Sequence, residues 1–252
     1  MFKNNIVLVT GAASGIGFET ARQFIEHGAT VVGADYDEKT LRDASEKLGD
    51  RFIPKRCDVT VEEEIASLSG YVKDSFGKLD VLVNNAGGAK FAAPEEMREE
   101  DFYYHYDLLV KGPMLFVKHF VPLLRRSSNP SIVNISSLAA RQVHSNHFLY
   151  STAKAAIEKL TFHLVRDLPG IRSNTILPGF IDTPIYKKSG FTDEQKYELL
   201  ERVKLKIPCG RIGKPQDISN CIIFLCSEKA SYINGVSIPI DGGYLHAPDW
   251  GV

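Results

Sequence analysis

The chain has 252 residues and a formal net charge of −1, with 44% hydrophobic and 24% charged residues. This length suffices for one large α/β domain with a sizeable core. The near-neutral charge gives no support for nucleic acid or an anionic membrane as a bulk partner, and no apolar run approaches the ~18 residues that a membrane span needs.

Four cysteines are scattered along the chain, at Cys57, Cys209, Cys221 and Cys226. They form no C-x-x-C pair and no metal-ligand spacing, so we expect no bound metal. The N-terminus runs straight into a strand pattern, which leaves no room for a signal peptide. Isolated cysteines without a signal peptide predict reduced thiols and a cytoplasmic location.

Strand and helix patterns alternate along the whole chain. Short apolar runs predict strands at 6–9, 30–34, 51–55, 79–83, 131–135, 173–177 and 237–240. Helical patterns fill 16–27, 38–48, 61–76 and 102–125, and a further helix carries Tyr150. Strict alternation predicts a Rossmann-like α/β fold, a doubly wound parallel sheet of about seven strands with helices on both faces. We expect a single domain over 1–252, in which the charged, helix-prone insertion 182–208 is a substrate lid.

A glycine-rich turn, Gly11-Ala12-Ala13-Ser14-Gly15-Ile16-Gly17, separates the first strand from the first helix. Glycines allow a tight turn and a close approach to a phosphate, and the helix N-terminus offers N–H groups to a pyrophosphate. The second strand ends at Asp35, where an acid can bind the adenosine ribose hydroxyls. Its carboxylate would repel a 2′-phosphate, and the next residue, Tyr36, is not basic. These features predict NAD as the cofactor rather than NADP.

Tyr150 and Lys154 are four residues apart, and Ser137 precedes the tyrosine by thirteen. Residues i and i+4 share one face of a helix, so the lysine ammonium can lie beside the phenol. A nearby cation favours the phenolate, so we expect Lys154 to lower the pKa of Tyr150 and make it an acid/base. Ser137 can hold a carbonyl or hydroxyl oxygen against it.

These motifs, in order and each at a strand end, resemble the short-chain dehydrogenase/reductase family in its compact single-domain form. The likeness extends over nearly the whole chain, through Cys57-Asp58-Val59, Asn84-Asn85-Ala86-Gly87, Pro178-Gly179-Phe180-Ile181-Asp182-Thr183 and Asp241-Gly242-Gly243. It implies that Asp58, with Val59 beside it, meets the adenine and that Asn85, Ala86 and Gly87 line the adenosine side. It further implies that Ile181 and Thr183, after Pro178 and Gly179, contact the nicotinamide amide. Ser137, Tyr150 and Lys154 would be catalytic, and Lys154 would also hold the nicotinamide ribose.

One position departs from the family pattern. Leu109, in Leu108-Leu109-Val110-Lys111-Gly112-Pro113, stands where the family usually has an asparagine that supports a water relaying protons to the lysine. Either the relay is lost, or Pro113 preserves it, because proline has no N–H to bond the Leu109 carbonyl four residues back. We predict a kink between Leu109 and Pro113, with a water between the Leu109 carbonyl and Lys154.

The segments expected around the substrate are rich in cations and aromatic rings. Lys90, His144, His147, Phe180 and Tyr186 are the candidate substrate residues, and Arg141 and Lys188 are expected to face water. The cations favour a polar or carboxylate-bearing substrate. Phe91, Phe148 and Phe180 instead suit a hydrophobic alcohol, and the sequence leaves this choice open.

The sequence therefore predicts an NAD-dependent alcohol dehydrogenase or carbonyl reductase acting on a small molecule. The alternative is an NAD-binding sensor or scaffold protein with weak turnover, because of Leu109. The family resemblance also implies a homotetramer, with two long helices of each subunit in one interface. The apolar tail 244–252, which includes Trp250, is expected to pack on a neighbouring subunit.

Overall fold

The structure is a computed structural model that describes residues 1–247, so Trp250 and most of the predicted tail contact lie outside the described residues. Seven strands form one parallel sheet in the order β3-β2-β1-β4-β5-β6-β7. They are β1 (Ile6–Thr10), β2 (Thr30–Asp35), β3 (Phe52–Arg56), β4 (Val81–Asn84), β5 (Ser131–Ile135), β6 (Arg172–Pro178) and β7 (Ser237–Ile240). The doubly wound parallel sheet predicted from the sequence is confirmed.

Helices pack on both faces of this sheet. They are α1 (Gly15–Glu26), α2 (Glu38–Leu48), α3 (Glu62–Phe76), α4 (Glu99–Tyr106), α5 (Gly112–Leu124), α6 (Phe148–Asp167), α7 (Ile185–Lys188), α8 (Asp193–Lys204) and α9 (Pro215–Cys226). Successive strand residues point to opposite faces, which creates two cores. Val7 packs with Phe24 of α1 and Ile222 of α9 in one core, and Leu8 packs with Phe116 of α5 in the other.

The sequence prediction omitted α9. Its start nevertheless carries a helix signal, because Pro215 occupies the first turn and the Asp217 carboxylate accepts the Lys214 N–H at 2.7 Å. Ile218 and Ile222 are fully buried and lie on one face, four residues apart. This face packs along α1, which opens at the glycine-rich turn. The packing of α9 against α1 therefore helps to hold the glycine-rich turn in place.

The predicted helix over 102–125 is not continuous. A π-helical segment, Asp107–Lys111, separates α4 from α5, and the Gly112 N–H donates to the Asp107 carbonyl five residues back. Pro113 has no N–H to continue either an α or a π ladder. The π turn overlaps the position of the predicted kink between Leu109 and Pro113, and the kink itself stays a prediction. Such turns insert an extra residue and frequently occur at functional sites.

A buried chain of polar side chains fixes α6 against the sheet. The Asn84 amide donates to Asn134 at 2.8 Å, and the Asn134 amide donates to the Thr161 hydroxyl at 2.8 Å. The Thr175 hydroxyl completes the chain with a 2.6 Å bond to Thr161. Since these residues come from β4, β5, β6 and α6, the network sets the position of α6 relative to three strands.

The segment between β6 and α9 contains α7 and α8. The Lys196 ammonium of α8 lies 2.6 Å from the Asp182 carboxylate, which ties α8 to the beginning of the segment. Across residues 1–247, no helix combines the length and apolarity needed to cross a bilayer. No group of three or more His, Cys, Asp or Glu side chains in that range has the arrangement of a metal site.

Candidate functional site

An open cleft of about 1100 Å³ lies along the carboxyl ends of the strands, where the strand order reverses between β1 and β4. This is the usual ligand position in an open α/β sheet. Every catalytic, cofactor and substrate residue predicted from the sequence lines the cleft, except Gly17. Gly17 lies beneath the turn, so close to it that a Cβ at this position would collide with the Gly11 carbonyl.

The glycine-rich turn is rigidly braced at one wall of the cleft. Gly11 and Gly15 have φ values of +64° and +55°, which favour glycine. The Thr10 hydroxyl accepts the Asn85 and Ala86 N–H groups at 2.9 Å, and the Asn85 amide donates to the Thr10 carbonyl at 2.8 Å. The Ser14 side chain makes no capping bond to α1. The α1 N-terminus can therefore offer N–H groups and the Ser14 hydroxyl to a phosphate.

Asp35 stands at the next corner of the cleft. The residue is only 4% exposed, and its carboxylate accepts the Ala13 N–H at 3.1 Å and the Asp37 N–H at 3.2 Å. One bond to each oxygen leaves acceptor capacity for the hydroxyls of a ribose. Asp58, at the same side, accepts both the N–H and the hydroxyl of Thr60. Both predicted acids are thus held in fixed orientations beside the cleft.

Lys154 is joined to the end of β5 by two hydrogen bonds that run in opposite directions. Its ammonium donates to the Ile135 carbonyl at 2.8 Å, and the Ser136 hydroxyl donates to the Lys154 carbonyl at 2.7 Å. Lys154 is 5% exposed, and burial lowers its pKa to about 8. Ser136 was not among the predicted site residues, because a serine that bonds a distant helix carbonyl has no local sequence signal.

The half-buried Tyr150 lies one helical turn before Lys154. Its ring centre lies 5.7 Å from the Lys154 ammonium. Burial raises the pKa of Tyr150, and a hydrogen bond with the Ser137 hydroxyl partly offsets that rise. The expectation that Lys154 would bring the pKa of Tyr150 below its ordinary value is therefore wrong. The reason is that burial disfavours the charged form of both groups at once.

Leu109 closes the other side of the lysine. It is 1% exposed and packs with Val110 and Ala153 in a small apolar cluster beside Tyr150. The Leu109 side chain and the Lys154 ammonium lie 3.5 and 3.7 Å from the place where a Cβ on Gly87 would stand. The Leu109 side chain and the Lys154 ammonium therefore both lie next to Gly87. The water predicted at the Leu109 carbonyl stays a prediction.

Aromatic rings form the wall beyond Tyr150. The Phe91 ring lies 4.1 Å from His147 and 6.4 Å from Tyr150, measured between centres, and 6.3 Å from Phe191. Tyr186 is half-buried close by, and its pKa is raised by burial and then by the negative charges of Tyr150 and Asp182. His144 lies 5.4 Å from His147. The sequence did not identify Phe191, which enters the cleft from the segment before α8.

The predicted substrate cation Lys90 points elsewhere. Its backbone lines the cleft, but its ammonium lies 3.6 Å from the Asp101 carboxylate and 4.4 Å from the centre of the Tyr104 ring. Arg141 pairs with Glu158 and does not line the cleft. Arg202 of α8, which the sequence did not identify, does line it and has no carboxylate within 4 Å in the described part of the chain.

Lys188, at the end of α7, lies at the cofactor end of the cleft rather than the substrate end. Its ammonium is 5.8 Å from the centre of the exposed Tyr36 ring. The pKa of the Asp37 carboxyl is lowered mainly by the Thr40 N–H, with a smaller contribution from the Lys188 charge. Thr183 and Pro184 pass 3.4 and 3.5 Å from the Cβ position of Gly15. The segment after β6 therefore spans the cleft from the glycine-rich turn to Tyr36.

Known proteins match this chain over nearly its whole length. Residues 11–245 match the family model described as Enoyl-(Acyl carrier protein) reductase, of the short-chain alcohol dehydrogenase type. The glucose/ribitol short-chain dehydrogenase/reductase from Brucella melitensis superposes with a TM-score of 0.90 at 30% identity. That superposition covers 96% of this chain and 97% of the Brucella chain.

Two curated relatives align over almost their full lengths. The 3-oxoacyl-(acyl-carrier-protein) reductase FabG of Thermotoga maritima is 35% identical over 248 residues, covering 96% of this chain and 98% of the relative. The cis-4-hydroxycyclohexanecarboxylate dehydrogenase of Sinomonas cyclohexanicum is 36% identical over 252 residues, covering 96% and 97%. Both relatives are oxidoreductases by name.

The buried ammonium makes a prediction about stability. Because the pKa of Lys154 falls from 10.5 to about 8 on folding, the unfolded chain holds more protons between these pH values. The cost in folding stability of burying the charged ammonium is complete below about pH 8 and fades as the pH rises to 10.5. We predict that Lys154→Met raises the free energy of unfolding by about 1–3 kcal/mol at pH 7, and that this gain disappears by pH 10.5.

Urea unfolding of the wild type and the variant at both pH values measures the difference. Lys159→Met, at an exposed position of the same helix, is the control and should change stability by less than about 0.5 kcal/mol. A Lys154→Met protein that is less stable than the wild type at pH 7 contradicts the prediction.

Proposed function

Because the chain belongs to the short-chain dehydrogenase/reductase family of oxidoreductases, we propose that it transfers a hydride between NAD(H) and a secondary alcohol or ketone. The observation that carries the proposal is the arrangement of Ser137, Tyr150 and Lys154. They lie together in one corner of the cleft, and the glycine-rich turn lines the same cleft. A protein that only binds a dinucleotide has no need of all three groups.

The residues that would hold the dinucleotide fit it along the whole cleft. The α1 N-terminus and the unused Ser14 hydroxyl suit the pyrophosphate, and the Asp35 carboxylate suits the adenosine ribose. Ile181 and Thr183, after Pro178 and Gly179, also line the cleft and suit the nicotinamide. When bound, nicotinamide supplies the site that accepts or donates a hydride.

The protein's own part in the reaction is to place an oxygen and move one proton. The Ser137 hydroxyl holds the substrate oxygen against the Tyr150 phenol. Tyr150 takes the proton during oxidation and returns it during reduction. A charged Lys154 offsets part of the cost of a buried phenolate, while its bond to the Ile135 carbonyl keeps the ammonium in place.

Asp35 supports NAD over NADP. Its buried carboxylate is oriented by two backbone N–H groups and would lie against the phosphate of NADP. The positive charge of Lys188 would attract the phosphate of NADP, but only weakly. Its ammonium is exposed and already interacts with the Tyr36 ring and the Asp37 carboxylate. A fixed buried charge acts through a lower dielectric than a mobile exposed one.

The substrate that the cleft suits best is a ring-bearing secondary alcohol or ketone with a carboxylate. Phe91, Phe191 and Tyr186 provide flat apolar surface next to Tyr150. Arg202 provides a cation at the exposed side of α8, within the segment 182–208 that we propose to be a lid. The dehydrogenase of Sinomonas named for 4-hydroxycyclohexanecarboxylate is a relative of this chain, which supports the same substrate class.

We further propose a cytoplasmic homotetramer. Phe102 and Tyr103 of α4, Met114 of α5 and Phe162 of α6 are exposed by 38–52%, which supports an interface built on these helices. Burial raises the pKa of the Cys57 thiol to about 12, and burial likewise raises that of Cys226. Such protonated thiols suit a reducing compartment.

The decisive test of the function is removal of the phenol. We predict that wild type reduces NAD with secondary alcohols, and that Tyr150→Phe retains less than about a hundredth of kcat because an acid/base group contributes ~10²–10⁴-fold. NADH binding, followed by its fluorescence, should hardly change, whereas Lys154→Met should impair both binding and turnover. The alcohol panel includes 4-hydroxycyclohexanecarboxylate and its methyl ester, and the acid should have the lower KM.

Tight NAD binding without turnover of any alcohol or ketone in the panel would favour the alternative function. That alternative is an NAD-binding sensor or scaffold, in which the apolar contact of Leu109 has disabled proton transfer. A Tyr150→Phe protein with more than about a hundredth of wild-type kcat would refute the role of Tyr150.

Cofactor choice is a separate prediction. We expect kcat/KM for NAD to exceed that for NADP, because Asp35 occupies the position of the 2′-phosphate. Asp35→Asn removes the repulsion between the carboxylate and the 2′-phosphate but keeps the shape of the side chain. The ratio of kcat/KM for NAD to kcat/KM for NADP should therefore fall by roughly tenfold, which is the effect of about one close charge. Asp37→Asn, at the neighbouring half-buried acid, is the matched control. A wild-type preference for NADP would contradict the assignment.

The π turn predicts an effect on the proton path. Pro113→Ala restores an N–H that can bond the Leu109 carbonyl, so kcat should fall by roughly threefold or more if that carbonyl holds the relay water. Leu109→Asn should raise kcat or leave it unchanged. Pro122→Ala, in the same helix α5, controls for general effects of the substitution. If Pro113→Ala matches the wild type, the relay through Leu109 does not exist.

A further inference from the structure

His105 is a buried titratable group that the proposed chemistry does not use. It lies near the end of α4 and has no exposed surface. Its Nε2 is 3.1 Å from the Lys90 N–H, and its Nδ1 is 2.7 Å from the Asp101 carbonyl. A backbone N–H can only donate and a carbonyl can only accept, so Nε2 must be unprotonated and Nδ1 must carry the proton. The two partners thus specify one neutral tautomer.

The same face of α4 holds residues 88–91 at two other points. The Tyr104 hydroxyl fills the space in which a Cβ on Gly88 would stand. The Asp101 carboxylate lies 3.6 Å from the Lys90 ammonium. Residues 101, 104 and 105 are spaced i, i+3 and i+4, which places them together on one helix face. This face is the support on which the segment following β4 rests.

The supported segment leads directly into the aromatic wall of the cleft. Phe91 follows Lys90 in the chain, and its ring contacts His147 and meets Tyr150 edge to face. The His105 ring itself lies 6.4 Å from the Tyr150 ring. Since the His105 bond fixes the backbone immediately before Phe91, a shift at Lys90 moves the wall that a substrate ring would contact.

We propose that His105, as a neutral imidazole, is a positioning residue that holds Phe91 against Tyr150 and so sets the affinity for substrate. Protonation of Nε2 turns it into a donor facing the Lys90 N–H, which breaks the bond and releases the wall. The charged or titratable groups around it are Lys90, Asp101, Tyr104 and Tyr150, with His147 beyond Phe91. The proposal rests on the proposed oxidoreductase function.

The neutral state is the stable one near neutral pH. Burial lowers the pKa of His105 below 6.5, and hydrogen bonding and the charge of Asp101 oppose this only in part. The positioning is therefore complete above pH 6.5 and is lost as the pH falls through the lowered pKa of the folded protein. Substrate affinity should weaken in acid for this reason.

Two variants separate positioning from general packing. His105→Gln retains an acceptor for the Lys90 N–H but cannot titrate, and His105→Phe retains the ring volume but has no acceptor. Reduction of 4-oxocyclohexanecarboxylate by NADH is the assay, because acid does not deprive Tyr150 of the proton that this direction requires. Circular dichroism and NADH fluorescence check folding and cofactor binding.

We expect His105→Phe to raise KM by roughly tenfold or more at pH 7.5, with NADH binding unchanged, because small displacements of a binding wall are costly. His105→Gln should stay within about threefold of the wild type. Between pH 7.5 and 5.5 the KM of the wild type should rise, whereas the KM of His105→Gln should stay flat. An acid rise that persists in His105→Gln would come from another group, such as His147, and would overturn the proposal, as would a wild-type KM in His105→Phe.

Nuclear magnetic resonance of ¹⁵N-labelled histidine tests the positioning role of His105 even if the protein shows no turnover. A wild type that reduces no ketone would refute the proposed function, but the His105 tautomer would still be measurable. An Nδ1–H tautomer that titrates below 6.5, with the Phe91 ring signals shifting in the same step, would support the positioning role. An Nε2–H tautomer, or Phe91 signals that ignore the titration, would overturn it.

Discussion

The burial of one ammonium group against one backbone carbonyl is the constraint on which the site depends. The Lys154–Ile135 bond joins the catalytic helix to the end of β5, and the Ser136 hydroxyl returns a second bond to the Lys154 backbone. Because Tyr150 is one turn before Lys154, its phenol is then fixed beside Ser137. Burial also shifts the pKa of Tyr150 upward and that of Lys154 downward, because burial disfavours the charged form of both groups. The charged state is costly until something in the cleft compensates for it.

Two supports keep this corner dry and ordered. The polar chain through Asn134 and Thr161 fixes α6 from below, within the sheet. From the side, the helix interrupted by the π turn packs Leu109 against Ala153 of α6 and places His105 against the segment before Phe91. Because the π turn interrupts the helix, His105 of α4 and Leu109 of the π turn contact different parts of the site.

Features governed by local chemistry were predictable from the sequence. Apolar runs specified the strands, and the glycines and Asp35 specified the cofactor end, because turn conformation and strand-end position are short-range properties. The i, i+4 spacing placed Tyr150 and Lys154 on one face of a helix. Proline at position 113 revealed the break in the helix, although its π form depends on packing around Gly112, where a Cβ would lie 2.8 Å from the Val59 carbonyl.

Features set by distant contacts were not predictable. Nothing near Lys90 indicates that its ammonium pairs with Asp101, or that the imidazole of His105 accepts its N–H. The direction of the Tyr150 pKa also depends on how completely the folded chain excludes water. A lysine four residues away says only that a cation is near. Arg202 and Phe191 enter the cleft because the segment after β6 crosses it, which is a property of the whole fold.

The state of the Lys154 ammonium tests this account most directly. Nuclear magnetic resonance of ¹³Cε-labelled lysine, assigned with Lys154→Met, follows its titration in the cofactor-free protein. The account predicts a pKa of about 8, because the ammonium is buried against the Ile135 carbonyl. A titration at the ordinary value of 10.5 would mean that water reaches the ammonium, and would contradict the burial of Lys154 on which the rest of the site depends.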